Sequence, residues 1–466
     1  MNTKSRLIFM NFLQFFVWGA WMMTLAHYGF VEKGWRGSEF GLVFSTMGFA
    51  SIIMPTLFGI IADKWKANYV YAILHILFGA TMLILPSINS PITFFWVLLV
   101  AMSFYMPTIG LTNSISFGVL KKDGKDPVVA FPPIRVWGTV GFIVAMWTTN
   151  FFTKDWGLGY SIKVSFVIAA VLAFVLGIFS FIFLPTIKSE KKHDNEKKSF
   201  IQKLGLEAFV LFKQKKMALF FIFSLLLGAA LQLTNAYGDA FLQDASVFPK
   251  GSLINNFSTI ILSVSQISET LFILAIPFFM KRFGIKKVML LSMIAWVLRF
   301  ALFGIADNSV LGFALIILSC IIYGMAFDFF NISGALFVEK NTDSSIQSSA
   351  QGLFMLMTNG IGAVVGNIVA GLVIQKWFED HVTGLFLFIQ KWFEDPVTTG
   401  LVIQKWFEDP VIGLVIQKWF EDPVTHVKDW TGIWLTFAAY ALVVAIVFAI
   451  VFKYKHDPNE EFEVKH

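Results

Sequence analysis

Roughly twelve apolar runs of about 20 residues follow one another along this chain, the length an α-helix needs to cross the hydrocarbon of a bilayer. The first six fall near 7–30, 40–62, 69–87, 92–118, 132–153 and 162–185. The second six fall near 217–239, 253–280, 286–305, 310–338, 348–374 and 430–452. Only 14% of the 466 residues are charged and 57% are hydrophobic, whereas a soluble domain carries about 25% charged residues. The expected fold is all-α and integral to a membrane, with twelve transmembrane helices in two six-helix halves.

The basic residues set the expected orientation. Lys4 and Arg6 precede the first run, Lys64 and Lys66 follow the second, and Lys121, Lys122 and Lys125 follow the fourth. Lys281, Arg282, Lys286 and Lys287 follow the eighth, and Lys453 and Lys455 follow the twelfth. With both termini cytoplasmic, all of these lie on the same side, as the positive-inside rule requires. The net charge of +6 is therefore a topology signal and does not imply nucleic acid. The first apolar run is long enough to span and lacks a small-residue cleavage site, which argues against a cleaved signal. Cys320 is the single cysteine, so no disulfide framework is possible.

The polar stretch 186–216 divides the chain into a bundle at 1–185 and a second at 217–452, followed by a cytoplasmic tail at 453–466. GIIADKW (59–65) follows the second run, and FFMKRFGIKKV (278–288) follows the second run of the second half. Matching basic hairpins at matching places imply two related halves. One segment is out of character. QKWFED occurs at 375–380, 390–395, 404–409 and 417–422, in units too short and too charged to span. The stretch 375–425 reads as a repetitive outer-loop insertion without substrate chemistry.

Ionisable residues inside apolar runs carry the chemistry. A charge in hydrocarbon costs roughly 2.5–3.5 kcal/mol on insertion scales, so such residues usually mark a pathway or a site. Glu269, Asp328 and Arg135 are so placed. Residues three or four apart share a helix face, which pairs Gln266 with Glu269, Gln232 with Asn235, Asp328 with Asn331 and Arg135 with Thr139. These four polar ladders on four helices suggest a central cavity near the midplane. Phe327, Phe329 and Phe330 beside Asp328, and Phe142 beyond Thr139, add flat apolar faces. Amides and carboxylates with stacking rings suit a nucleobase joined to a sugar, and a sugar alone fits almost as well. A desolvated carboxylate takes a proton more readily, which makes Glu269 and Asp328 candidates for proton coupling.

Simpler roles compete for several of these residues. Gln232 and Asn235 also serve as interhelical glue, and Arg135 as a snorkelling flank. Arg299 reads as an ion-pair partner or a flank, His75 as a buried and satisfied histidine, and Asp239 as a solvated helix end. An enzyme is not expected, because His75 has no evident nucleophile or acid partner. A receptor or scaffold would need a soluble domain, and the longest soluble stretch is about 30 residues, below ordinary domain size. No metal or cofactor is expected.

Eight blocks go further: FLQFFVWGAW (12–21), FGIIADKW (58–65), FPPIRVWGTVGF (131–142), FSLLLGAALQLTNAYG (223–238), SQISETLFILAIPFF (265–279), AWVLRFALF (295–303), YGMAFDFFNISG (323–334) and SAQGLFMLMTNGIG (349–362). They closely resemble the nucleoside:H⁺ symporter family, a branch of the major facilitator superfamily. The resemblance covers nearly all of 1–375 and resumes near 429. It implies proton-coupled import of purine and pyrimidine nucleosides across the bacterial inner membrane by a multi-pass protein acting as a monomer. It implies substrate-binding roles for Arg135, Thr139, Phe142, Gln232, Asn235, Gln266, Glu269, Phe327 and Asp328. A gating role follows for the hairpin around Gly59, Asp63 and Lys64. The QKWFED copies depart from the family pattern, which has a short outer loop there. On the residues alone, the alternative is a proton-linked sugar or oligosaccharide permease.

Overall fold

The computed structural model describes residues 2–186, 206–343, 346–379 and 428–454. Most of the expected central loop (187–205), the later QKWFED copies (380–427) and the end of the tail (455–466) lie outside the described residues, as does the side chain of Asp63. Among the described residues the chain is helical, with no strand. Nine helical segments among the described residues are long and apolar enough to cross a membrane. A helix meets the demand of hydrocarbon, because every backbone N–H and C=O is paired within its own segment.

α1 (Thr3–Gly19) starts on Asn2, whose side chain accepts from the Ser5 N–H at 2.8 Å. The short turns Leu25–His27 and Tyr28–Glu32 lead to α2 (Gly37–Phe44), which runs on into α3 (Thr46–Lys64). α4 (Ala67–Ile84), α5 (Pro91–Lys122), α6 (Pro132–Thr153) and α7 (Val164–Phe183) complete the first group. The second group holds α8 (Lys215–Gln243), α9 (Ser258–Gly304), α10 (Val310–Lys340), α11 (Gln347–Met355), α12 (Ala363–Ile374) and α13 (Trp430–Val451). A π-helical stretch, Leu356–Gly362, joins α11 to α12.

α9 covers two of the apolar runs. Its helical geometry breaks at Gly284, with φ 72° and ψ 169°, a conformation open mainly to glycine. The side chains of Ser265 and Arg299 meet at 3.4 Å although they are 34 residues apart. A straight helix would hold them about 51 Å apart at 1.5 Å per residue. The chain therefore doubles back at Gly284, and α9 is a helical hairpin.

Polar contacts tie the first group together inside. Gln14 of α1 donates to Thr108 of α5 at 2.8 Å and accepts from the Tyr71 hydroxyl of α4 at 2.6 Å. Its carbonyl accepts from the Tyr105 hydroxyl at 2.5 Å. His75 lies in the same layer, buried, with Nδ1 2.9 Å from the Tyr71 carbonyl oxygen. Such bonds hold helices together where burial in protein gains little over burial in lipid.

The two groups meet at one end, the end to which α1 runs. A Cβ on Gly41 would fall 2.3 Å from the Asn367 carbonyl oxygen, and one on Gly371 would fall 2.4 Å from that of Gly37, so α2 and α12 touch backbone to backbone. Thr259 donates to the Met146 carbonyl at 3.1 Å, and Trp147 Nε1 to Ser263 at 2.9 Å. Asp239 is buried here, which corrects the expectation of a solvated helix end. It accepts from Gln243 Nε2 at 2.6 Å and from Ser258 at 2.8 Å. Lys154 of the first group donates to Gln243 Oε1 at 2.7 Å. A Cβ on Gly59, Gly110 or Gly352 would have nothing within 4 Å.

The first QKWFED copy is not loop. Gln375–Glu379 continues α12 as a π-helical turn. Gln375 Oε1 accepts hydrogen bonds from the Ser38 hydroxyl and, at 3.3 Å, from its backbone N–H. Phe378 is buried. The first copy thus belongs to the closed end.

Placing a side chain into the α2–α12 contact should open that end. Overpacking costs about 1–3 kcal/mol, enough to shift a two-state equilibrium roughly tenfold. Cys320 is buried, so a cysteine introduced at Thr259 gives the signal. Maleimide labelling of Thr259→Cys in purified protein is expected to run about tenfold faster with Gly41→Val than without it. Equal rates would mean that the glycine contact does not hold the end shut.

Candidate functional site

Gly324 of α10 packs on α9: a Cβ there would lie 2.6 Å from the Ser268 carbonyl and 2.7 Å from the Glu269 nitrogen. The Ser268 hydroxyl donates to the Ile321 carbonyl at the same crossing. This close approach sets Glu269 one turn from Asp328, and the two carboxyl groups lie within electrostatic range of each other. Arg135, from the first group, lies within the same range of Glu269. Its guanidinium sits 4.0 Å from the centre of the Phe15 ring of α1, a cation–π contact. All three of the intramembrane charges singled out from sequence therefore come together, and the Arg135–Glu269 approach bridges the two groups.

Asp328 is 4% exposed, and its Oδ2 makes no hydrogen bond to any described residue. An ionised carboxylate left so would be costly. The oxygen is a vacant acceptor, suited to a proton or to an N–H or O–H of a ligand.

Phe327 stacks on Tyr323, with ring planes 5° apart and centroids at 6.0 Å. The Tyr323 side chain lies close to Gln266 and within electrostatic range of both carboxylates. Tyr323 was not among the residues singled out from sequence. Its signal was there: it lies one helical turn before Phe327, on the same face. Phe15 and Tyr105 were also missed, the latter within electrostatic range of Arg135.

The remaining expected residues divide. Gln232, Asn235, Gln266 and Thr139 are half-buried, while their neighbours Thr234 and Ser265 are buried. Phe142 is packed in the core, and its carbonyl lies 2.8 Å from where a Gly19 Cβ would be. Of the hairpin residues, Lys64 is exposed at the end of α3 and Gly59 faces open space.

Arg299 is not a flank, and it forms no ion pair with a described residue. It is 1% exposed. It donates through Nε to Thr234 Oγ1 at 3.3 Å, and through Nη1 to Ser265 Oγ at 3.4 Å and to the Ser319 carbonyl at 2.8 Å. Its guanidinium lies 4.6 Å from the Tyr323 ring centre.

Comparison with known proteins locates this arrangement among transporters. The nucleoside H⁺ symporter family model matches residues 1–393 and 399–457. The chain is 44% identical to xanthosine permease of Escherichia coli (strain K12), over 100% of this chain and 99% of that protein. It is 43% identical to nucleoside permease NupG of the same organism, over 98% of this chain and 97% of that protein. A crystal structure of nucleoside transporter NupG superposes with a TM-score of 0.80 at 42% identity, covering 98% of this chain and 100% of the other.

The α9–α10 crossing is testable by stability alone. Gly324→Ala puts a methyl against backbone atoms that cannot rotate away, at a cost of about 1–3 kcal/mol. A lower apparent Tm by intrinsic tryptophan fluorescence is expected, while Gly352→Ala, where a methyl meets nothing, leaves Tm unchanged. An unshifted Gly324→Ala would show that the crossing is loose.

Proposed function

The chain belongs to the nucleoside H⁺ symporter family, and from that premise we propose that it imports purine and pyrimidine nucleosides with protons across the bacterial inner membrane by alternating access. The finer architecture we propose is twelve transmembrane helices of the major facilitator fold, with six-helix halves at 1–185 and 217–452 joined by the cytoplasmic loop 186–216. Both termini are cytoplasmic in this reading, so the end at which the two groups meet faces outward. The protein works as a monomer and uses the proton gradient, without a cofactor and without covalent chemistry.

Substrate lies between the groups. Gln232, Asn235, Gln266 and Glu269 hold the ribose and the edges of the base, and Phe327, backed by Tyr323, stacks the base. Arg135 and Thr139 close the site from the first half. Phe142 supports that wall from the core. Asp328 takes the proton, with Glu269 as its coupled neighbour. Proton and nucleoside enter from outside, the halves rock, and both leave to the cytoplasm, while the hairpin at Gly59, Asp63 and Lys64 helps hold the opposite state.

The observation that carries this reading is the buried, unpartnered Asp328 Oδ2 within range of Glu269, which in turn faces Arg135 across the two groups. Family membership removes the further support for the sugar-permease alternative.

Uptake of radiolabelled uridine and adenosine into nucleoside-transport-deficient cells tests it. Wild-type uptake is expected to collapse with a protonophore. Asp328→Asn, present in the membrane at wild-type amounts, should lose accumulation while purified protein still binds uridine within about tenfold of wild type, the scale of one hydrogen bond. Protonophore-insensitive uptake, or full accumulation by Asp328→Asn, overturns the assignment.

A further inference from the structure

We propose that Arg299 is a positioning residue for nucleoside binding, setting the rotation of the α8 and α9 faces and the plane of Tyr323 from behind the cavity. The proposal rests on the nucleoside-transport reading above.

Successive residues on a helix point about 100° apart, so neighbours can divide their duties. Thr234 and Asn235 are neighbours on α8, and Ser265 and Gln266 on α9. In each pair the hydroxyl residue is buried and binds Arg299, while the carboxamide residue is half-buried. One guanidinium thus fixes the azimuth of both carboxamides. Its third bond, to the Ser319 carbonyl, is returned by the Ser319 hydroxyl, which donates to the Arg299 carbonyl at 3.0 Å. Ser319 lies one turn before Tyr323 on α10. The guanidinium also lies against the Tyr323 ring, which stacks on Phe327 and meets Trp296 edge-on. Three elements that present site residues therefore converge on one side chain that does not itself line the site.

The chemistry of the position points the same way. Arg299 forms no ion pair with a described residue, so its charge is borne by hydroxyls, a carbonyl and ring faces. A buried charge without a counter-charge is expensive. Only the planar fork of arginine reaches hydroxyls on two helices and a carbonyl on a third while one face stacks on a ring. Lysine keeps the charge and loses the fork.

The test is the KM and Vmax of radiolabelled uridine uptake for Arg299→Lys, Thr234→Val and Ser265→Ala, with Vmax normalised to protein in the membrane. Wild-type uptake in the same cells establishes the underlying reading independently, because its absence would sink nucleoside transport and not this role. A positioning role predicts a KM raised about fivefold or more in Arg299→Lys, and smaller rises in the same direction in Thr234→Val and Ser265→Ala. A purely structural Arg299 would lower the amount of protein, its Tm and Vmax while leaving KM unchanged, since the molecules that fold would have an intact site. Unchanged KM in Arg299→Lys overturns the proposal. If that variant does not reach the membrane, unchanged KM in both Thr234→Val and Ser265→Ala overturns it instead.

Discussion

In hydrocarbon, an apolar side chain gains little by leaving lipid for a neighbouring helix, so the hydrophobic effect cannot assemble this bundle as it assembles a soluble core. What holds the helices is close van der Waals contact and hydrogen bonding, and the structure uses both where each is needed. Gln14, Tyr71, Tyr105 and Thr108 bond α1, α4 and α5 into one body. Arg299 does the same for the second group from its own centre. Between the groups the contact is mixed: glycine backbones meet at Gly37, Gly41 and Gly371, hydrogen bonds flank them, and Phe30 and Phe40 pack on Tyr237 and Trp156 on Phe257. Each group is cohesive within itself.

The same economy governs charge. Placing Arg135, Glu269 and Asp328 in the membrane is costly one at a time, and the fold reduces the cost by bringing them together. It does not remove it, because Asp328 keeps an oxygen without a hydrogen-bond partner among the described residues. A site meant only to be stable would have filled that position. Leaving it vacant makes occupancy by a proton or a ligand a stabilising event, and the energy of that event becomes available to shift the balance between conformations.

Much of this was legible in the sequence because lipid simplifies the code. An apolar run of spanning length has little choice but helix, and an ionisable residue within it stands out. Hence the elements and the three central charges could be read from one chain. What escaped reading depends on geometry across helices. Gly284 divides a continuous hydrogen-bonded segment, and only the Ser265–Arg299 contact reveals the reversal. Asp239 looks like a solvated end until Gln243 and Ser258 are seen around it. Arg299 suggests an ion pair because sequence gives its charge and not its neighbours. Tyr323 was overlooked because aromatic residues are so common in this chain that one more carries little information. The first QKWFED copy resembles its repeats in sequence, and its place at the end of α12, against Ser38, separates it from them.

The make-up of the seam bears on how the two groups can move. Its glycine surfaces separate without disentangling side chains, and the flanking bonds from Lys154, Thr259 and Trp147 are of a kind that water can replace once the end begins to open. The ring contacts of Phe30 and Phe40 with Tyr237 and of Trp156 with Phe257 must be undone in the same motion. Rigid bodies are as necessary as a separable seam, since a soft body would absorb the motion as internal deformation. The buried polar networks supply that rigidity. The networks around Gln14 and Arg299 each lie within one group, so rocking need break neither. The site lies where the groups face each other, with Arg135 on one body and Glu269 and Asp328 on the other. Any change of angle at the seam alters the distance between opposite charges, and any change in protonation alters the force between them. Proton occupancy and conformation are thereby linked through the electrostatic interaction of Arg135 with Glu269.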